Sequence, residues 1–185
     1  SVLMSGASAM TLVIGAVGSH NDDRNLWCFE QDKHWGQMIR TWLKQYQIRN
    51  TFLISAAAVL FQNKVCYRVD TKRVPKNFGL VLCEGTSGTP ANPVSTLQQF
   101  GDHLSPTFTL LARKVNVEKD GPLMMRWARD HGASFVIINK QDGFVKIYRD
   151  AEKKVKPNGP VNFEVADISA SRPAAEQVVQ PMVRQ

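Results

Sequence analysis

Apolar and polar positions alternate most clearly between residues 121 and 149. Apolar residues at helical spacing over 123–128 predict a short amphipathic helix. The β-branched and aromatic run 135–138 predicts a strand buried on both faces, and the alternating segment 144–149 predicts a strand that returns beside it. The Asp142-Gly143 pair between these strands suits a tight turn. We therefore expect a helix that leads into a C-terminal β-hairpin.

The rest of the chain combines two longer amphipathic segments with several short apolar runs. Helices are predicted over 32–47 and 92–104, where large apolar residues recur every three or four positions. Residues 1–8 are small and polar and predict a loose end. Strands are predicted over 10–17, 51–61, 65–69, 78–83 and 107–117. The expected fold is α+β, a mixed α/β sandwich with one mixed β-sheet packed by about three helices, a C-terminal β-hairpin and an extended tail.

The composition changes after residue 149, which predicts two regions. Residues 1–150 are expected to form a single globular α+β domain. Residues 151–185 are expected to form a charged linker, a possible edge strand and a tail. Because 169–185 is poor in large side chains, it would order weakly alone, so we expect it to dock on a partner protein or a second copy.

The net charge and the cysteines indicate the kind of partner and the cellular compartment of the protein. The 185 residues carry a formal net charge of +7, which favours an anionic partner. The three cysteines include no C-x-x-C pair and lie among apolar neighbours, so buried free thiols in a reducing compartment such as the cytoplasm are expected. The apolar run 9–17 is too short to cross a bilayer, so no membrane association is expected. No sequence motif indicates a cofactor, and none is expected.

A group of basic residues and an aromatic and basic strand face predict a surface that binds nucleic acid. Only Asp70 opposes the five cations of the first group, which fall within thirteen positions: Lys64, Arg68, Lys72, Arg73 and Lys76. On the last predicted strand, one face alternates aromatic, cation, aromatic through Phe144, Lys146 and Tyr148. Such sets contact phosphates and stack bases. They also occur as solvated strand edges and half-buried core positions. The preferred function is a non-catalytic binding or assembly protein with a basic face, its partner nucleic acid, RNA before DNA.

Two other functions stay open at this point. His20, Asp22 and Asp23 follow the first predicted strand and Glu84 follows another, a pattern that suits a metal-dependent hydrolase or nuclease. The simpler interpretation is a helix-capping loop beside a solvated acid, and no metal site is predicted. The third function is a structural subunit of a larger complex, docked through its C-terminal tail. Whether the protein is an enzyme is left open by the sequence.

Overall fold

A computed structural model of the chain describes residues 1–19, 25–85 and 88–151. Nine strands lie in these ranges: β1 Val2–Ser5, β2 Leu26–Glu30, β3 Thr51–Ser55, β4 Ala58–Phe61, β5 Lys64–Tyr67, β6 Phe78–Cys83, β7 Leu104–Ala112, β8 Ser134–Asn139 and β9 Phe144–Arg149. Four α-helices accompany them: α1 Ala9–Gly18, α2 Lys33–Gln45, α3 Pro93–Phe100 and α4 Gly121–Asp130. No helix within the described ranges is long and apolar enough to cross a membrane.

Seven strands form one mixed sheet in the order β3-β2-β1-β6-β7-β9-β8. Neighbouring strands are parallel except at β9, which runs antiparallel to both β7 and β8. The chain begins in the middle of the sheet with β1, adds β2 and β3 on one side, and then crosses to place β6 on the other side. The strand order therefore reverses between β1 and β6. In open α/β sheets, ligands bind outside the carboxyl ends of the strands at such a point.

The predicted mixed sheet, its packing by helices and its C-terminal hairpin are confirmed. The described ranges hold four α-helices where about three were expected. Helix α2 starts where the sequence places it, because the Asp32 side chain accepts a hydrogen bond from the Trp35 backbone N–H at 2.9 Å. The tail, and with it the division of the chain near residue 150, stays a prediction because 152–185 lie outside the described residues.

The prediction for the first eighteen residues is wrong. The predicted strand 10–17 is helix α1, and the predicted loose end contains the central strand β1. The Ser8 side chain accepts from the backbone N–H of Met10, and the Thr11 hydroxyl accepts from the backbone N–H of Ser8, so a capping box starts the helix. A short apolar run by itself fits a strand and a buried helix equally well, and only these caps decide between them.

Alternating side chains of β1 separate the core into two layers. Leu3 belongs to the larger cluster, together with Phe100 of α3 and Met124 of α4. Met4 belongs to the smaller cluster, against which Ile14 of α1 packs. Because neighbouring residues of a strand point to opposite faces, α1 lies on one face of the sheet and α3 and α4 on the other.

Strand β8 is less buried than its sequence predicts. Only Phe135 of this strand is buried, while residues 136–138 are half-buried. The expectation of burial on both faces is wrong because β8 is the last strand of the sheet, paired on one side alone.

Strands β4 and β5 form a separate hairpin between β3 and β6. Its turn residues Gln62 and Asn63 have φ of 46° and 60°, as a two-residue hairpin turn of the primed type requires. Helix α3 holds the hairpin at both ends. The Gln99 amide accepts from the Tyr67 N–H at 3.0 Å and donates to the Tyr67 carbonyl at 2.6 Å, and Gln98 donates to the Gln62 side chain at 2.9 Å.

Candidate functional site

A pocket of about 360 Å³ opens where the strand order reverses, and we call it the central pocket. Its walls come from the turn after β1, the end of β2, the first turn of α2, the end of β5, the loop after β6 and Lys114 after β7. The lining residues are Gly6, Ala7, Ser8, Glu30, Gln31, Trp35, Tyr67, Glu84, Gly85, Thr89, Ala91 and Lys114.

Two glycines let the backbone line this pocket closely. Gly6 has a φ of +92°, a conformation that residues with a side chain rarely adopt. Gly85 lies so close to the Ala91 backbone that an added Cβ would collide with it. Glycine is therefore required at both turns, by the backbone conformation at Gly6 and by the close approach of Ala91 at Gly85.

Glu30 is the buried charged group of the pocket, with 7% of its surface exposed. Its carboxylate accepts one hydrogen bond from the Ala7 backbone N–H at 2.8 Å and another from the Asp32 backbone N–H at 2.7 Å. On the other side of the same turn, the Trp35 indole N–H donates to the Ala7 carbonyl at 2.7 Å. Each carboxylate oxygen has a second lone pair, so Glu30 can still accept hydrogen bonds from hydroxyl groups of a ligand.

The opposite side of the pocket carries Glu84 and Lys114. Glu84 follows β6, and Lys114 follows β7 with a φ of +59°, in the left-handed region that side chains other than glycine seldom occupy. The loop that holds Lys114 is joined to the β8–β9 turn, since the Lys114 N–H donates to the Asp142 carbonyl at 3.2 Å and the Val115 N–H to the Gly143 carbonyl at 3.0 Å. Strained backbone of this kind persists where the surroundings determine it and concentrates at functional sites.

Burial keeps Tyr67 and the cysteine thiols in their neutral forms. Burial raises the pKa of Tyr67 above its ordinary value, so its hydroxyl stays protonated at neutral pH. Burial also raises the pKa of Cys28 and of Cys83 to about 12. The predicted buried free thiols are confirmed for all three cysteines, and such thiols do not act as nucleophiles.

Of the four residues named for a metal-dependent hydrolase or nuclease, the structure describes only Glu84. Glu84 lines the central pocket, whereas His20, Asp22 and Asp23 lie outside the described residues. Within 1–19, 25–85 and 88–151, no group of three or more His, Cys, Asp or Glu residues could hold a metal ion.

The predicted nucleic-acid residues lie on separate elements. Lys64 is in β5, Arg68 follows it, Lys72 and Arg73 are in a short 3-10 turn, and Lys76 precedes β6. This group starts beside Tyr67 of the central pocket.

The aromatic and basic face of β9 is half-buried at each of its positions. The Lys146 Nζ lies 4.3 Å from the centre of the Tyr148 ring, and Phe144 opens the strand. In the sheet, β9 is three positions from β1. Binding of nucleic acid by either group stays a prediction.

Three features of the pocket were missed by sequence reasoning. The turn 5–8 between a strand and a helix went unnoticed because residues 1–8 were interpreted as a loose end. Glu30 closes the apolar run LWCFE, and an acid at the end of the second strand is the signal that accompanies a glycine turn in nucleotide-binding folds. Lys114 carries no such signal, since only its backbone conformation marks it.

No protein-family model matches the chain, and no curated protein matches it in sequence. Solved structures do share its architecture. A SAM-dependent methyltransferase from Aquifex aeolicus matches with a TM-score of 0.52 and 11% identity, over 80% of this chain and 79% of that one. An rRNA methylase from Streptococcus thermophilus matches with a TM-score of 0.51 and 14% identity, over 80% and 86%. A precorrin-6y C5,15-methyltransferase from Geobacter metallireducens GS-15 matches with a TM-score of 0.52 and 16% identity, over 80% and 76%.

The fold is that of α/β methyltransferases. This finding overturns the functions predicted from the sequence. The non-catalytic nucleic-acid-binding or assembly protein, the metal-dependent hydrolase or nuclease and the structural complex subunit are each wrong, because the structures that share this fold are methyltransferases. The preferred prediction was based on the basic net charge of the chain. Net charge affects solubility and the rate at which charged partners associate, but it does not indicate the fold.

Proposed function

We propose that the protein transfers a methyl group from S-adenosylmethionine to an acceptor, with the cofactor held in the central pocket. The observation that carries this proposal is the buried Glu30 carboxylate beside the turn at Gly6, at the reversal of strand order. The SAM-dependent neighbour from Aquifex aeolicus supports the choice of cofactor.

The residues present fit the adenosyl part of such a cofactor. A ribose offers two adjacent hydroxyl groups, and the two oxygens of the Glu30 carboxylate can accept hydrogen bonds from both. Trp35 and Tyr67 supply aromatic surface in the same pocket. The pocket volume of about 360 Å³ lies within the range of small-molecule sites. The bound cofactor supplies an electrophilic methyl group on a positively charged sulfur.

Glu84 and Lys114 are the candidates for handling the acceptor and its proton. A hydroxyl or amine that gains a methyl group must lose a proton, and a base within hydrogen-bond reach assists this step. Glu84 can take that proton, and Lys114 can bind the acceptor beside it. Lys114 also lines a second, more open cleft of about 590 Å³ with Arg113, Asn116 and Gln141, through which an acceptor could reach it.

We further propose nucleic acid, and RNA before DNA, as the acceptor of this catalytic reaction. Of the five cations between Lys64 and Lys76, only Arg73 forms an ion pair with a described residue, at 3.5 Å from Asp70. The other four are available to phosphates. The neighbour from Streptococcus thermophilus is an rRNA methylase, which supports an RNA acceptor on this fold.

Calorimetric titration of the full chain with S-adenosylmethionine tests the proposal. We expect the wild-type protein to bind, and we expect Glu30→Gln to weaken binding by roughly 10- to 100-fold, as the loss of a charged hydrogen bond implies. Glu118→Gln is the matched control, because the Glu118 side chain is 86% exposed and lies outside the pocket residues. A wild-type protein that binds no S-adenosylmethionine would contradict the assignment.

A further inference from the structure

A third cavity, of about 460 Å³, lies between the β4–β5 hairpin and helix α3, and we call it the hairpin cavity. Its walls include Val59 and Phe61 of β4, Tyr67 and Arg68 at the end of β5, and Gln98 and Gln99 of α3. The hydrogen bonds from Gln98 and Gln99 to the two ends of the hairpin hold these walls apart at a fixed spacing. The cavity therefore lies between two elements that side-chain hydrogen bonds join.

Two wall residues suit a flat ring with a negative group, and the Asp70 carboxylate that also lines the cavity pairs with Arg73 at 3.5 Å. Phe61 lines the cavity although 58% of its surface is exposed, so an aromatic face is open to a ligand there. Arg68 is exposed and forms no ion pair with any residue in the described ranges. Aromatic faces stack on bases and guanidinium groups pair with phosphates.

The hairpin cavity and the central pocket share one wall residue. Tyr67 lines both of them, and its hydroxyl stays protonated because burial raises its pKa. Lys64 precedes Arg68 in the chain and Lys72 follows it, so further cations that can contact phosphates lie on both sides of Arg68 in the sequence.

We propose that the hairpin cavity binds a nucleotide of the acceptor strand that flanks the methylated position, with its base at Phe61 and its phosphate at Arg68. This inference rests on the proposed function, because an acceptor strand exists only if the protein transfers a methyl group to nucleic acid. The binding site itself is defined by the hairpin and α3.

Binding of a fluorescently labelled six-residue oligouridylate to the full chain tests the site. We expect Phe61→Ala to weaken binding roughly 5- to 150-fold, the range found when one stacked base loses its aromatic partner. Arg68→Gln should weaken binding and lower the salt slope by about 0.7, as the removal of one cation from a phosphate does for a single strand. Leu60→Ala is the matched control, because Leu60 is 72% exposed and lies next to Phe61 on the opposite face of the same strand.

Titration with S-adenosylmethionine separates this proposal from the proposed function. If the cofactor binds the variants as it binds the wild type while oligouridylate binding falls, both proposals are supported. If no protein binds the cofactor but Phe61→Ala and Arg68→Gln still weaken oligouridylate binding, the nucleotide site stands and the methyltransferase assignment falls. Equal oligouridylate affinities for Phe61→Ala and Leu60→Ala would overturn the site. Conversion of a dimer into a monomer by Phe61→Ala, with unchanged oligouridylate affinity, would also overturn it, since the cavity would then be a surface between two copies.

Discussion

The Glu30 carboxylate should hold the turn after β1 in place even when no ligand is bound. It accepts the backbone N–H groups of Ala7 and Asp32 at 2.8 and 2.7 Å. Glu30→Ala leaves both donors without this partner. Glu30→Gln keeps one acceptor oxygen and turns an NH2 group toward the other donor. The order of stability should therefore be wild type, then Glu30→Gln, then Glu30→Ala.

The size of the effect follows from the number of donors that lose a partner. An unsatisfied buried donor costs about 1–3 kcal/mol, and because both of these hydrogen bonds are only part-buried we take the lower end of that range. Glu30→Gln should then cost about 1 kcal/mol and Glu30→Ala about 2 kcal/mol. For a chain of this size, each kcal/mol lowers Tm by about 2–4 °C.

Differential scanning calorimetry of the ligand-free proteins measures these shifts, and Glu118→Ala serves as the exposed control. That control should stay within about 0.5 kcal/mol of the wild type. A Glu30→Ala protein with the wild-type Tm would contradict this prediction, because the carboxylate would then not organise the turn.

Two further predictions concern the buried thiols and the basic group. Burial raises the pKa of Cys28 and of Cys83 from 9.0 to about 12, so the stability that each neutral thiol contributes is complete below pH 9 and is lost as pH rises from 9 toward 12. Urea unfolding between pH 8 and 11 measures this loss, and above pH 9 each thiol should lower the free energy of unfolding by about 1.4 kcal/mol per pH unit. Cys28→Ala should remove the contribution of one thiol to this slope. An unchanged slope in this variant contradicts the prediction. Changing Lys72 and Arg73 together to Glu should weaken binding of single-stranded RNA and lower its salt slope by about 0.7 for each phosphate that these two cations neutralise, whereas a wild-type slope would remove this segment from the acceptor site.

The sequence alone determines the elements whose signals are local. Helix α2 begins at an Asp32 cap that the sequence shows directly. The unit of α4 and the β8–β9 hairpin could be predicted because Gly132 and Gly143 adopt the positive φ of 63° and 58° that their places at a helix end and in a turn require. Each of these signals acts between residues a few positions apart, so the residue types themselves reveal it.

The central pocket depends on contacts that no local pattern reveals. Glu30 meets the Ala7 N–H across 23 positions of sequence, because parallel pairing of β1 with β2 brings their carboxyl ends together. Lys114 reaches the same pocket only through the pairing of β6 with β7 and the junction of its loop with the β8–β9 turn. Residues 9–18 differ from these cases, because the Ser8 cap of α1 is a local signal, whereas the place of β1 in the middle of the sheet is decided by distant segments. Strand order is set by packing among distant segments, and the order of these strands is what assembles the site.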